Sequence, residues 1–153
     1  MSNQIEYKIA TQADLQTMID IRLEMLKIVN NLPEDYMYSD EFVTCSSWYF
    51  EKGDQTTVLA FDGEKAIGCA SMSYIEVMPT FDHPTGRRAH LMNVYTNANY
   101  RRQGIGKIMV EMLIADAKDK GATEISLDAT TLGRPLYKSL GFYESESCMA
   151  MNL

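Results

Sequence analysis

The chain has 153 residues, of which 46% are hydrophobic and 23% charged, with a formal net charge of −7. This length fits a single domain over 1–153 that buries about two-thirds of its unfolded surface. The acidic balance argues against nucleic acid as a partner, since nucleic-acid binding favours a basic domain, and no apolar run reaches the ~18 residues of a membrane span.

The first residues, Met1 to Glu6, show neither a basic n-region nor an apolar h-region, so the reading is a cytoplasmic protein without a secretory leader. Ile5 to Ala10 alternates apolar and polar residues, as a half-buried strand does. Thr11 and Asp14 resemble a capping box and start a helix. Leu15, Met18, Ile19, Arg22, Met25, Leu26 and Val29 then follow a helical period, mostly apolar, and Pro33 ends it. Ser39 caps a second helix, with Asp40 and Glu41 in its first turn and Gly53 at its end.

Thr56 to Phe61 reads as a strand, Asp62-Gly63 as a hairpin turn, and Ala66 to Val77 as the next strand. Pro79, Asp82, Pro84 and Gly86 mark a longer loop. Leu91 to Thr96 reads as a strand and Ile105 to Lys120 as a helix. Glu124 to Ala129 is a short strand, Pro135 to Leu140 a short helix closed by Gly141, and Phe142 onward a final strand. The order is β-α-α-β-β-β-α-β-α-β, a mixed α/β domain. Cys45, Cys69 and Cys148 are odd in number and share no Cys-x-x-Cys, so they read as reduced core thiols rather than as zinc ligands or disulfides.

The segment Arg101-Arg102-Gln103-Gly104-Ile105-Gly106-Lys107 carries the strongest signal. A glycine-rich turn entering a helix points several backbone N–H groups at one spot, where the helix dipole also favours an anion. Between His83 and Val110 there is no Asp or Glu, yet Arg87, Arg88, Arg101, Arg102 and Lys107 all fall there. A basic island in an acidic chain points to a small anionic ligand. A dinucleotide-binding Gly-x-Gly-x-x-Gly turn is the competing reading. It would make the chain a nicotinamide nucleotide-binding oxidoreductase. Met109 stands at its third glycine, and seven residues separate the strand from Gly104, whereas such a turn is tight.

The glycine segment resembles motif A of the GCN5-related N-acetyltransferases, Arg/Gln-x-x-Gly-x-Gly/Ala, with Arg101, Gly104 and Gly106 in order and spacing. Gly133 to Phe142 resembles that family's motif B, Tyr-x-x-x-Gly-Phe, and the order of elements agrees. The resemblance covers nearly the whole chain and implies the acyl-coenzyme A N-acyltransferase fold.

It further implies that the amides of Arg102, Gln103, Gly104, Ile105, Gly106 and Lys107 hold the pyrophosphate of acetyl-coenzyme A, with charge from Arg101 and Arg102. By the same resemblance the strand before the loop splays from its neighbour at a bulge. The freed main chain of Val94, Tyr95 and Thr96 then takes the pantetheine arm like an added strand. Relatives often carry proline shortly after this strand, where this chain has Ala98. They also place asparagine seven residues before the motif B tyrosine; here it is Thr130, and Thr130, Thr131 or neither substitutes.

Acyl transfer from a thioester expels a thiolate, and a positioned hydroxyl can protonate it, which gives Tyr137 the role of general acid. An attacking amine must also lose a proton. Asp128, Glu76 and His90 are candidates for that base, with Asp128 first because it matches a strand position where relatives often carry a carboxylate. Water chains serve this step in some relatives. The first two helices wall the acceptor pocket in the family, which places Tyr36, Tyr38, Trp48, Tyr49 and Phe50 near it; Trp48 and Phe50 read as core. Asp35, Asp40 and Glu41 would make that pocket suit a cationic amine.

The resulting expectation is a cytoplasmic acetyl-coenzyme A-dependent N-acetyltransferase acting on a small-molecule or peptide amine, without a metal and without a membrane or nucleic-acid partner. A homodimer is common in the family. The rival on the same fold is a non-catalytic acyl-coenzyme A sensor, which keeps the glycine loop but has no need of Tyr137.

Overall fold

The computed structural model describes residues 4–153; residues 1–3 of the leader reading lie outside them. The first four strands follow one another antiparallel in the sheet: β1 (Ile5–Ile9), β2 (Gln55–Asp62), β3 (Lys65–Glu76) and β4 (Arg87–Thr96). A short fifth strand, β5 (Ile125–Leu127), pairs parallel with β4, giving the order β1-β2-β3-β4-β5. Four antiparallel neighbours exclude the parallel doubly wound sheet that the nicotinamide reading requires.

Helices α1 (Leu15–Val29) and α2 (Asp40–Lys52) cover one face of the sheet. Helix α3 (Ile105–Asp119) and the short α4 (Arg134–Ser139) cover the other. The strand period assigns each residue to its layer. Val58, Ala60, Ala70, Met72, Ala89 and Leu91 meet Met109, Val110 and Leu113 of α3. Leu59, Cys69 and Tyr95 meet Met18, Ile21 and Met25 of α1 and Phe50 of α2. The result is a three-layer sandwich with a core on each side of the sheet.

Local signals act where the sequence places them. Asp14 accepts the Thr11 N–H at 2.8 Å, and a 3-10 turn, Gln12–Asp14, precedes α1. Ser39 Oγ accepts the Phe42 N–H at 3.1 Å and opens α2.

Three expectations are corrected. Residues 143–153 form no strand: Phe142 closes α4 by donating its N–H to the Tyr137 carbonyl, and everything beyond is exposed. Tyr143 to Cys148 places polar residues on both faces, so a strand there would bury too little apolar surface to fix its register. Trp48 is 61% exposed and is not core, while Phe50 is buried. Of the three thiols only Cys69 is in the core; all three are free.

Candidate active site

Strand β4 runs into a capped turn, Ala98–Tyr100, and then into the glycine loop. The Asn97 side chain accepts the Asn99 N–H at 3.0 Å, and the Tyr100 hydroxyl donates to Asp62 at 2.6 Å. These two bonds hold the turn where relatives use proline. Gly104 then takes φ +79° as the N-cap of α3, and Arg102 takes φ +62°. A Cβ at Gly104 would meet nothing within 4 Å, so glycine serves the left-handed backbone and leaves the space before it open.

Among the described residues, no main-chain N–H from Gly104 to Lys107 donates to a protein group; the first inner bond is Ile108 N–H to the Gly104 carbonyl at 3.1 Å. Converging free N–H groups at a helix N-terminus form an anion cradle. Arg102, Gln103 and Lys107 are exposed around it, and Arg101 folds back to donate to the Thr96 carbonyl at 3.1 Å. None of these cations joins an ion pair among the described residues. The donors and charges therefore fit a pyrophosphate. Arg87 and Arg88 do not belong to this island. They sit at the opposite end of β4, where Arg87 pairs with Asp54 at 3.2 Å and Arg88 with Glu124 at 2.7 Å.

The pairing of β4 with β5 ends at Leu91–Leu127, so the β4 edge from Met92 to Thr96 has no strand partner on that side. On the other side the register with β3 slips between Cys69 and Ser71, and Asn93 takes φ +60°. Two residues of β4 there oppose one of β3, which is a bulge. Val94 packs toward α3 and Tyr95 toward α1, while Met92 and Asn93 both face the α1–α2 layer. The open edge and the cradle are adjacent: a Cβ on Gly106 would lie 3.8 Å from Thr96 Oγ1 and 3.7 Å from Leu136 of α4.

A cavity of about 270 Å³ lies across the bulge from the loop, lined by Arg22, Phe42, Cys45, Ser46, Tyr49, Phe50, Ser71, Met92 and Asn93. Its charge overturns one expectation. Asp35, Asp40 and Glu41 are exposed and do not line it; its one charged side chain is Arg22.

A buried relay of hydrogen bonds holds this wall, and its directions are determined. Arg22 Nη1 can only donate, so Asn93 presents Oδ1 to it at 3.3 Å and Nδ2 to Ser71 Oγ at 3.2 Å. Thr57 gives its one proton to Gln55 Oε1 at 2.7 Å, so Ser71 donates to Thr57 Oγ1 at 2.7 Å. Gln55 ends the chain by donating to the Phe50 carbonyl of α2 at 3.2 Å. Sequence reading did not single out Arg22 and Asn93, which line this cavity. The available signal was a lone arginine in the apolar stripe of the first helix.

Tyr137 stands on the α3 side of the sheet, packed edge-to-face on Phe142 with ring centroids 5.9 Å apart. Its hydroxyl makes no hydrogen bond among the described residues, and burial raises its pKa above the ordinary tyrosine value. Thr130 Oγ1 accepts the Gly133 N–H at 3.1 Å and braces the turn into α4, leaving its own proton to donate.

Asp128 follows β5, fully exposed, 3.7 Å from His90 Nε2, while His90 Nδ1 contacts Ser126 Oγ at 2.8 Å. Ile125 and Leu127 pack into the α3-side core, so Ser126 and Asp128 face the α1–α2 side, as His90 does between Ala89 and Leu91. Glu76 lies away from the bulge. It pairs with Arg87 at the start of β4, six residues and ~20 Å from the bulge. No group of three or more metal-ligating side chains occurs among the described residues.

Comparison with known proteins agrees with this architecture. The model of the acetyltransferase (GNAT) family matches residues 22–142. The chain is 28% identical over 89 residues to glucosamine 6-phosphate N-acetyltransferase of Trypanosoma brucei brucei, covering 58% of each protein. It is 38% identical over 66 residues to N-acetyltransferase 8 of Homo sapiens, covering 40% of this chain and 29% of that one. The chain thus spans less than two-thirds of either curated relative. The crystal structure of a predicted acetyltransferase from Clostridium acetobutylicum, solved with acetyl-CoA, has a TM-score of 0.86 at 26% identity, covering 97% of this chain and 96% of that one. With the glycine cradle, the bulged and half-open β4 and motif B in place, the chain belongs to the acetyltransferase (GNAT) family.

Proposed function

We propose that the protein transfers an acetyl group from acetyl-coenzyme A to the primary amine of a small molecule, by direct attack of the amine on the thioester. The observation that carries this reading is the run of main-chain N–H groups from Gly104 to Lys107, unspent among the described residues, beside the unpaired edge of β4.

Acetyl-coenzyme A supplies the activated acyl group and a thiol leaving group. The main-chain N–H groups of the loop bind its pyrophosphate, with charge from Arg101, Arg102 and Lys107. The β4 edge at Val94, Tyr95 and Thr96 aligns the pantetheine as an added strand, and Thr130 has a hydroxyl proton to add. A backbone N–H of the Val94–Thr96 segment polarises the thioester carbonyl. The acceptor enters from the α1–α2 side through the cavity at Arg22 and Tyr49, and Tyr137 acts from the α3 side. The gap between β4 and β5 joins the two layers, which lets acid and acceptor flank one bond. Burial keeps the Tyr137 phenol protonated at neutral pH, ready to give its proton to the departing thiolate.

Asp128, with His90, receives the proton of the attacking amine, directly or through water. The same reading keeps the protein in the cytoplasm, where Cys45, Cys69 and Cys148 stay reduced.

The test is thiol release from acetyl-coenzyme A in the presence of a panel of primary amines. Amine-dependent release is expected; binding of the coenzyme with no turnover of any amine would favour the sensor instead. Asp128→Asn is expected to lose activity at neutral pH and regain it as pH rises and free amine accumulates. Superimposable pH–rate profiles would remove Asp128 from the reaction.

A further inference from the structure

Arg22 is half-buried in the α1–α2 layer, and it reaches the acceptor cavity with no acid beside it. Among the described residues its one hydrogen bond is to Asn93 Oδ1 at 3.3 Å. The ionisable groups around it are the Cys69 thiol and the Tyr49 and Tyr38 phenols, all neutral at neutral pH. No carboxylate lies within ion-pair distance among the described residues. Partial burial of a permanent charge without a counter-ion is costly, so native proteins pair such charges or use them on a ligand.

The guanidinium is also held. The relay Gln55–Thr57–Ser71–Asn93 crosses three strands and ends on it, which fixes one nitrogen and leaves the remaining donors for the cavity. An arginine presents planar, paired donors that match a carboxylate or phosphate. Phe42, Tyr49, Phe50 and Met92 give the cavity an apolar and aromatic wall, beside the polar Ser46, Ser71 and Asn93. At about 270 Å³ the cavity is smaller than the usual drug-sized pocket of roughly 300–1,000 Å³.

Resting on the acetyltransferase reading, we propose that the acceptor is a small primary amine that also carries an anionic group, with an apolar body, and that Arg22 binds the anion. The bulge residue Asn93 ties Arg22 to the point where β4 is open, so the anion sits a few bonds from the attacking nitrogen, as in an α-amino acid. A polycationic acceptor is disfavoured, because it would bring like charge against a half-buried guanidinium.

The experiment uses matched amines that differ in the anion: L-phenylalanine against phenethylamine, L-methionine against 3-(methylthio)propylamine, and O-phosphoethanolamine against ethanolamine. Each is assayed with saturating acetyl-coenzyme A, for wild type, Arg22→Gln and Arg22→Lys, with the fold of each variant checked by thermal melting. The wild type is expected to prefer an anionic member by ~10²-fold or more in kcat/KM, the scale of a desolvated charge pair. The first two pairs report a carboxylate and the third a phosphate. Arg22→Gln should shrink the preference to under about tenfold, and Arg22→Lys should keep an intermediate share of it.

Equal or better use of the uncharged partners by the wild type, or a preference that survives Arg22→Gln, would overturn the proposal. So would turnover of none of the anionic members by protein that binds acetyl-coenzyme A in calorimetry. Failure to bind acetyl-coenzyme A would overturn the parent reading, and this proposal with it.

Discussion

The two halves of the site are built from different chemistry. The proposed coenzyme half, from the Asn93 bulge through Lys107, presents main-chain N–H groups and an unpaired strand edge. The proposed acceptor half presents side chains gathered from α1, α2, β3 and β4: Arg22, Phe42, Tyr49, Ser71 and Met92. Main-chain recognition constrains conformation more than residue identity, so it leaves a local signature of glycines. Side-chain recognition leaves almost none, because its members are far apart in sequence. A site made this way can keep one coenzyme while changing its acceptor.

The comparison predicts that variants divide by which half they touch. The largest effect expected on the chemical step is that of Tyr137→Phe. It removes a proton donor that acts in the transition state, so kcat should fall by ~10²-fold or more while KM for acetyl-coenzyme A changes little. Pre-steady-state kinetics must show that chemistry limits the measured rate. An unchanged kcat under that condition returns Tyr137 to packing on Phe142.

The loop and helix of the proposed coenzyme half were legible in the sequence and little of the proposed acceptor half was, for a physical reason. Gly104 was readable because a left-handed turn at a helix start selects glycine, and the helix after it shows an apolar face. Arg22 was visible only as an oddity in the stripe Leu15, Met18, Ile19, Arg22, Met25. Its partner Asn93 faces it only because a bulge turns two successive residues of β4 to one side. A bulge depends on how two strands register, which no single strand records. The acidic pocket expected from Asp35, Asp40 and Glu41 failed because sequence proximity to an aromatic cluster does not decide which way a helix faces. The expected final strand failed because Phe142 is the last residue there to bury an apolar side chain.

A smaller effect sharpens the acceptor half. Ser71→Ala removes the relay's middle member, leaves Asn93 Nδ2 without its acceptor in a buried site and reduces Thr57 Oγ1 to its bond with Gln55. The expected cost is about 1–3 kcal/mol of stability, read by urea denaturation. The acceptor KM should rise while the acetyl-coenzyme A KM holds, because Arg22 loses its brace and the loop does not. A rise in both would mean that the two halves are not separable.

The smallest effect concerns the core beneath the acceptor cavity. Burial pushes the Cys69 thiol up to about 12, against the opposing pull of Arg22. Burial, with the Glu24 carboxylate nearby, pushes Tyr95 up to about 12. A folded-state pKa above the unfolded value gives stability that is complete below the unfolded value and lost as pH rises through the folded one. The unfolded references are ~8.5 for the thiol and ~10 for the phenol, so melting temperature should hold to about pH 8.5 and decline toward pH 12. Cys69→Ala should flatten the first part of that decline, whatever it costs in packing. A decline of the same onset and slope in that variant would remove Cys69 as its source.

The most direct test of a coenzyme half built from main chain is calorimetric titration of coenzyme A into wild type, Gly104→Asn, Gly104→Asp and Arg101→Ala. Asn and Asp are the non-glycine residues that best tolerate the left-handed conformation, so the pair separates backbone strain from charge. Asp places a carboxylate before the N–H cradle, where a like charge costs several kcal/mol; the expected loss is ~10²-fold or more in affinity. Gly104→Asn should lose distinctly less, and Arg101→Ala, which removes only a side chain, under about tenfold. Full affinity in Gly104→Asp, or a loss in Arg101→Ala that exceeds it, would contradict a cradle made of backbone N–H groups.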